Sequence, residues 1–587
     1  MIIDQSLGRN TPAQSAQVRR PTKRTQLIGV IAKTEEAPFV EEFFELFKTP
    51  WEYFDPEKSY DVVISTGNAP HDFDGRLLAV FCSTPTRWDS ENGVVFNQRL
   101  RNCFAEVGNE KLPIYGEVAT FHHAGSRIAN VVGDPESAGA EISLGGTKVI
   151  RLGYDLFAEV AFLLSQGQPP QNALFPTLDL HISILRRFII EAGIPLIEIP
   201  PAPAGARFIS CLTHDIDFLY LRQHKFDRTM WGFLYRATVG TMVDFVEGRI
   251  PLRKLVTNWS AALKLPLVHA GLCRDFWLPF DRYLEIENGK PSTFFLIPFR
   301  NRAGKSPDGL NARRRATKYD VDDIHEWINV LRSRGCEIAV HGIDAWNDPA
   351  KAKEELGRIV SLTGETEAGL RTHWLYCSSQ SPRILEKAGF SYDSTCGFNE
   401  AVGYRAGTSQ VFKPVQVTDL LELPLHIQDT ALFFPGRMHL SEPEAWELCL
   451  RVLGNCHRHG GVITLLWHDR SLAPERLWGA FYAALLGELE SAATWFGTAK
   501  ETVGWFRKRR SVRFKEVRQT EGRFEVLLDK VPGKASPDLA LRLSYASGAG
   551  EASQVEAPLD GRDRLTLEMP AGIKPEQSFM AGNPDRN

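Results

Sequence analysis

Three short strings carry the residues best able to do chemistry: Thr213-His214-Asp215-Ile216-Asp217, Val340-His341 and Trp467-His468-Asp469. Each ends or follows an apolar, β-rich run, over 207–212, 336–340 and 462–466. Carboxylates and imidazoles at the ends of buried strands are costly unless they are paired or bind a ligand. Side chains alternate along a strand, so Asp215 and Asp217 share a face with Thr213, while His214 and Ile216 point the other way. Two carboxylates on one face repel unless a cation or a proton lies between them. A divalent metal resolves the conflict, with one carboxylate ligating and the other left free as a general base. Taken alone, the D-x-D string is better explained by a helix N-cap and a surface carboxylate. His341 and His468 taken alone fit a core histidine and a solvent-facing one, and weight comes only from the strings together.

Two further strings join them. Leu370-Arg371-Thr372-His373-Trp374-Leu375 reads as a strand with Arg371 and His373 on one face. An arginine entering a core needs a carboxylate, and Asp215 is the natural partner. His373 is then a ligand or a wall of the same pocket. His426 and Asp429 follow another apolar run, 421–425, and are placed at the pocket's edge. Trp346, Trp374 and Trp467 adjoin these strings and could stack on a ligand ring, although core packing is the default for tryptophan. Arg405 could bind an anionic group. Arg313-Arg314-Arg315 with Lys318, and the run Arg507 to Arg510, read as solvated charge.

The positions of these strings imply the elements that hold them. Strand-like runs at 208–212, 292–297, 337–340, 370–375, 421–425 and 462–467 alternate with helical patterns such as 321–334 and 442–459. That alternation predicts parallel strands wrapped by helices over 206–505, interrupted by a long helical, aromatic and basic insertion at 219–275. Residues 25–200 read as an N-terminal α/β domain with strands at 26–32, 61–65 and 77–82 and a helical extension, followed by a stiff proline linker at 200–203. Alternating apolar residues over 511–575 predict a small C-terminal β appendage, with a flexible leader at 1–24 and a polar tail at 576–587.

Composition narrows the class. The chain has 587 residues, 43% hydrophobic and 24% charged, which suits a soluble globular protein of two to four domains. A net charge of −4 gives no support for nucleic-acid binding or for a polybasic membrane anchor. No run is apolar and long enough for a membrane span or a signal peptide, so a cytoplasmic location is expected. Nine scattered cysteines without C-x-x-C spacing argue against a zinc ribbon and fit buried free thiols. There is no G-x-G-x-x-G and no phosphate-binding P-loop, so no nucleotide is assigned.

The ordered set of strings resembles the polysaccharide deacetylases of carbohydrate esterase family 4, in their divergent T-H-D-x-D form. Thr213 to Asp217 matches the first motif, Ser292-Thr293-Phe294-Phe295 the A-T-F-F element, His341 the start of the second motif and Arg371 the third. Gly389-Phe390-Ser391-Tyr392-Asp393-Ser394-Thr395 matches the G-F-x-Y-D-S-S element, and Leu465-Leu466-Trp467-His468 the last motif. The resemblance covers residues 206 to about 505 and implies a (β/α) barrel of deacetylase type. By carry-over, Asp215 is the general base, Arg371 holds it ionised, His468 is the general acid, and Asp217 and His341 bind a divalent metal, usually zinc. The family's second motif is H-[ST]-x-x-H, but here it reads His341-Gly342-Ile343-Asp344-Ala345, with Ala345 where a second histidine belongs. His373 or Asp344 would have to supply the third ligand. The resemblance implies a metal-dependent hydrolase of C–N bonds other than peptide bonds. Its substrate would be an N-acetylated (or O-acetylated) sugar in polysaccharide or glycoconjugate metabolism, with Trp374, Arg405 and Trp467 as substrate contacts. A small-amide hydrolase on the same barrel and an inactive carbohydrate-binding module are the other readings.

Overall fold

The computed structural model describes residues 25–70, 73–123, 125–307, 312–520, 522–533, 537–547 and 552–570. The expected leader, 1–24, and the tail, 576–587, lie outside the described residues.

The strings of interest sit on one parallel sheet. Its spatial order is Leu421–Glu422, Tyr392–Asp393, Leu370–Thr372, Glu337–Gly342, Ser292–Leu296, Ile209–Ile216, Val462–Leu466 and Ile427–Gln428, with Trp495–Phe496 also pairing with Ile209–Ile216. The central strands read as unbroken apolar runs because both faces are covered; every residue of Ile209–Ile216, Ser292–Leu296 and Val462–Leu466 is buried. The two end strands belong to one interrupted segment. Leu423 N donates to Asp393 O at one edge (2.8 Å), and His426 N donates to Thr464 O at the other (3.2 Å). The sheet therefore curls around and is bridged by a single irregular stretch rather than closed by a regular strand pairing. This differs from the regular barrel expected, because Pro424 and the buried polar groups of 421–429 break this segment into two-residue strands.

Register decides what meets at the open end. Asp215 lies opposite Phe295, Leu296 opposite Val340, and His341 opposite Arg371. Thr213 lies opposite Leu466, which places His468 just past the neighbouring strand. Chemistry-bearing residues from four strands thus end on one rim, as parallel α/β sheets arrange their ligand sites.

A second, nine-stranded sheet occupies 25–152. Thr25–Ile31, Trp51–Tyr53, Tyr60–Ser65, Leu77–Phe81 and Thr147–Leu152 run parallel, and Val95–Val107, Glu110–His123, Ser126–Val131 and Ser137–Leu144 continue it antiparallel. Helices Ala37–Phe47, Leu156–Ser165 and Thr177–Glu191 bury their apolar faces on it. The long antiparallel strands were not legible, because Val95–Val107 exposes most of both its faces and shows no clean alternation.

Five strands between 513 and 568 enter two three-stranded sheets, one completed by Leu196–Glu198, so they are not a free-standing appendage. Ala540–Ala546 pairs with Leu196–Glu198, from the far side of the chain. The expected linker, 200–203, is buried, and one side chain holds its start. Arg509, expected on an exposed helix end, is only 1% exposed. Its Nε donates to Ile199 O (3.0 Å) and Pro200 O (3.1 Å), and its Nη atoms to Glu45 O (3.0 Å) and Leu46 O (2.9 Å). Those last two carbonyls close helix Ala37–Phe47, where unpaired acceptors favour a cation. Arg315 is likewise fully buried, not solvated. All nine cysteines are free, and no described helix is long and apolar enough to cross a membrane.

Arg509→Met removes one donor group and leaves several buried carbonyls unpaired, each costing about 1–3 kcal/mol. The expected outcome is a clear drop in the thermal unfolding midpoint, followed by circular dichroism, with Arg509→Lys recovering only part of it.

Candidate functional site

Strand Ile209–Ile216 sends alternate side chains to two different environments. His214 enters the core, with Nε2 2.6 Å from Glu287 Oε1, Nδ1 2.9 Å from Trp467 O, and its ring 3.9 Å from that of Tyr283. It belongs to the framework. Thr213 and Asp215 face the rim, where both meet Arg371. The Arg371 Nη1 donates to Thr213 Oγ1 (2.8 Å) and Asp215 Oδ1 (3.0 Å), Nη2 to Ser394 Oγ (2.9 Å), and Nε to Ser394 O (3.0 Å). The guanidinium also lies 4.4 Å from the Phe295 ring centroid. A buried arginine this fully satisfied is fixed in place and presents a permanent charge to Asp215.

The second carboxylate meets imidazoles instead. Asp217 Oδ1 lies 3.3 Å from His341 Nε2 and 3.2 Å from His373 Nε2. One donor atom of each residue falls within 4.8 Å of the others, a separation that a single ion can span. The three residues fit such an ion. Asp217 Oδ1 is buried and has no hydrogen-bond partner among the described residues, although two imidazole nitrogens surround it. The His341 Nδ1 lies 2.9 Å from Arg371 O, a contact that turns Nε2 toward Asp217. Burial pushes the His373 imidazole down to about 3, which keeps it neutral. Burial pushes the Asp217 carboxyl up, but His373, His341 and His468 outweigh it and hold the group below the usual carboxylate range. A carboxylate beside two imidazole nitrogens is a metal-binding donor set.

His373 reaches this cluster by a strained turn. The strand ends at Thr372, and the next residues leave it; Trp374 has φ 66° and Leu375 φ 54°. Such conformations persist only where the surroundings enforce them. Here Arg315 Nη2 donates to His373 O (3.1 Å) and Ile343 O (2.8 Å), and Asn399 Nδ2 donates to Trp374 O (2.9 Å). Asp344, the other candidate, turns away and accepts from Lys305 N (2.7 Å). Ala345 is buried in the barrel's apolar core.

A third pair completes the rim. His468 Nδ1 lies 2.6 Å from Asp429 Oδ1, and the His468 amide donates to Asp429 Oδ2 (2.7 Å). Ser471 Oγ donates to the same carboxylate, and Tyr283 Oη donates to His468 O (2.6 Å). Burial lowers the His468 imidazole, but Asp429 by charge and hydrogen bond, with Asp217 and Asp215, lifts it above the ordinary histidine value. Burial also lifts Asp469, to about 7, with the Asp217 charge adding to it, while the Asp469 carboxylate accepts from Phe218 N (2.6 Å) and Arg470 N (2.8 Å). Asp429 was legible only as an acid after an apolar run; its pairing with His468 needed the fold.

The expected sugar contacts fare differently. Trp374 is half-buried, with its ring 5.6 Å from that of His373. Trp467 is fully buried, stacked 5.0 Å from Tyr482, so it is core and offers no surface to a ligand; it points away because its neighbour His468 faces the rim. Arg405 is exposed, donates to Gly397 O (3.2 Å), and makes no hydrogen bond or ion pair to the rim residues. His426 is buried against Thr408 and Thr464.

No family model matches this chain, and no curated protein matches it. Solved structures similar to it include two proteins named as polysaccharide deacetylases. One, from Mycobacterium smegmatis, is 19% identical and covers 53% of this chain and 95% of its own, at a TM-score of 0.33. The other, from Pseudomonas aeruginosa PAO1, is 14% identical and covers 53% and 94%, also at 0.33. The Puue allantoinase is 14% identical and covers 52% and 92%, at 0.32. Superposition this loose carries no residue roles, and the reading below rests on the side chains.

If Asp217, His341 and His373 hold an ion, Asp217→Ala, His341→Ala and His373→Ala each lose zinc from about one ion per chain to a small fraction of that. Asp344→Ala retains it. Elemental analysis after equilibration with zinc and desalting reads the difference.

Proposed function

We propose that this protein is a metal-dependent hydrolase that removes an acyl group, in the first instance acetyl, from nitrogen on a sugar. One observation carries the reading: three differently charged pairs share one rim, Asp215 with Arg371, Asp217 with two imidazoles, and His468 with Asp429. Structural salt bridges do not need this division. Base, cation site and acid do.

A divalent ion held by Asp217, His341 and His373 would polarise the acyl carbonyl and make water more acidic; two imidazoles and one carboxylate suit zinc. Asp215 accepts a proton from the attacking water. Arg371 pairs with that carboxylate and fixes its orientation, so it does not drift onto the neighbouring cation site. His468, as imidazolium, gives its proton to the leaving nitrogen. Asp429 holds the ring by Nδ1–H and leaves Nε2 to face the substrate. Trp374, half-exposed beside His373, offers a ring face to the sugar.

Release of acetate from a chitooligosaccharide, with the enzyme loaded with zinc, tests the reading. Asp215→Asn is expected to lower kcat by about 10²–10⁴-fold with zinc content unchanged. Wild-type protein that binds zinc but releases no acetate from any acylated sugar would sink the proposal.

The pH profile has a definite sign. His468 is raised above its ordinary value, so its proton is present below that raised pKa and lost as pH rises through it. Activity should therefore fall on the alkaline side at a pH above that of an ordinary histidine. Asp429→Asn removes the largest raising influence, and the alkaline limb of kcat/KM is expected to move to lower pH. A limb that stays in place would assign the proton donor elsewhere.

A further inference from the structure

Immediately after Asp217 the chain leaves the rim and builds a helical hairpin. One arm runs through Arg228–Tyr235, the π-helical turn Arg236–Gly240 and Thr241–Val246; the other is Leu252–His269. The arms are pinned together, with Asn258 Nδ2 donating to Thr241 Oγ1 (2.8 Å). The base is packed on the rim: Arg470 lies 4.1 Å from the Phe218 ring, and Lys318 pairs with Asp227 at 2.6 Å.

The inner faces account for only part of the hairpin's apolar residues. On the long arm, Leu255, Ala261, Leu265 and Val268 are buried. The opposite face is apolar as well, because Leu252, Val256, Trp259, Leu263 and Leu267 recur at intervals of four, three, four and four and are all exposed. The other arm repeats this with exposed Trp231, Tyr235, Val239, Met242 and Val246. Thirteen of the twenty large apolar residues exposed among the described residues lie between 226 and 272. A helix apolar on two faces is normally covered on both, and a patch this concentrated marks a contact surface.

Charge selects what covers it. Residues 219–275 hold nine Lys and Arg against four Asp and Glu, in a chain whose net charge is −4. Arg222, Lys225, Arg228, Arg253, Lys264 and Arg274 are exposed around the stripes. A second copy of the hairpin would bring like charge against like. An anionic lipid surface complements the charge and accepts the apolar stripes, and Trp231, Tyr235 and Trp259 are residue types that favour the headgroup level.

We propose that this hairpin seats the protein on the surface of an anionic bilayer. Resting on the hydrolase reading above, the acylated sugar is then one attached to a lipid in that bilayer, presented to the rim from which the hairpin rises.

Co-sedimentation of the full chain with vesicles tests the seat. Wild type is expected to pellet with vesicles containing phosphatidylglycerol, less with phosphatidylcholine alone, and less in high salt. The pair Val246→Glu with Leu263→Glu should lower partition by about tenfold or more while leaving acetate release from a soluble sugar unchanged. Arg253→Glu with Lys264→Glu, which touches no buried face, should weaken binding to the anionic vesicles alone. Wild type that stays in solution with both vesicle types overturns the proposal. So does a dimer that Leu263→Glu dissolves in place of vesicle binding. Vesicle binding without acetate release from soluble or lipid-linked sugar leaves the seat standing and removes the hydrolase reading. Equal turnover of lipid-linked sugar by wild type and the Val246→Glu, Leu263→Glu pair removes the substrate assignment.

Discussion

Asp215 and Asp217 lie two residues apart at the end of one buried strand, and the site is organised by how their charges are kept separate. Arg371 neutralises the first with a guanidinium that has no freedom left, since Thr213 and Ser394 take its remaining donors. His341 and His373 bring imidazole nitrogens against the second. The same arginine couples the two halves, because its backbone carbonyl fixes the His341 ring that faces Asp217.

That division places demands on the scaffold. Arg371 lies on the short strand Leu370–Thr372, and the chain must turn sharply after Thr372 for His373 to reach Asp217. The turn is held by Arg315, buried beneath it, which binds the carbonyls of His373 and Ile343 together. His468 gains its partner because the segment that bridges the sheet edges ends at Asp429. An irregularity in the barrel thus delivers an acid to the rim, where a regular strand would have delivered a hydrogen-bond ladder. Under the proposed reading, binding strain and mechanism share those two loops.

The hairpin adds a different constraint. Its apolar stripes are exposed and lie among exposed lysines and arginines. It grows from the strand that carries both carboxylates, so whatever covers the hairpin also fixes how the rim is presented.

Much of the site was readable from the residues. The two-residue spacing fixed that Asp215 and Asp217 share a face, and the need of a buried arginine for an acid pointed Arg371 at Asp215. The missing histidine at Ala345 left His373 and Asp344 as alternatives, and linear spacing could not separate them. Tertiary structure could, because Asp344 caps the Lys305 turn while the strained backbone at Trp374 swings His373 inward. The pairing of His468 with Asp429, the burial of Trp467, and the roles of Arg315 and Arg509 were also invisible. Each depends on contacts between segments distant in the chain, whereas the periodicity of a sequence reports only which face of its own element a residue occupies.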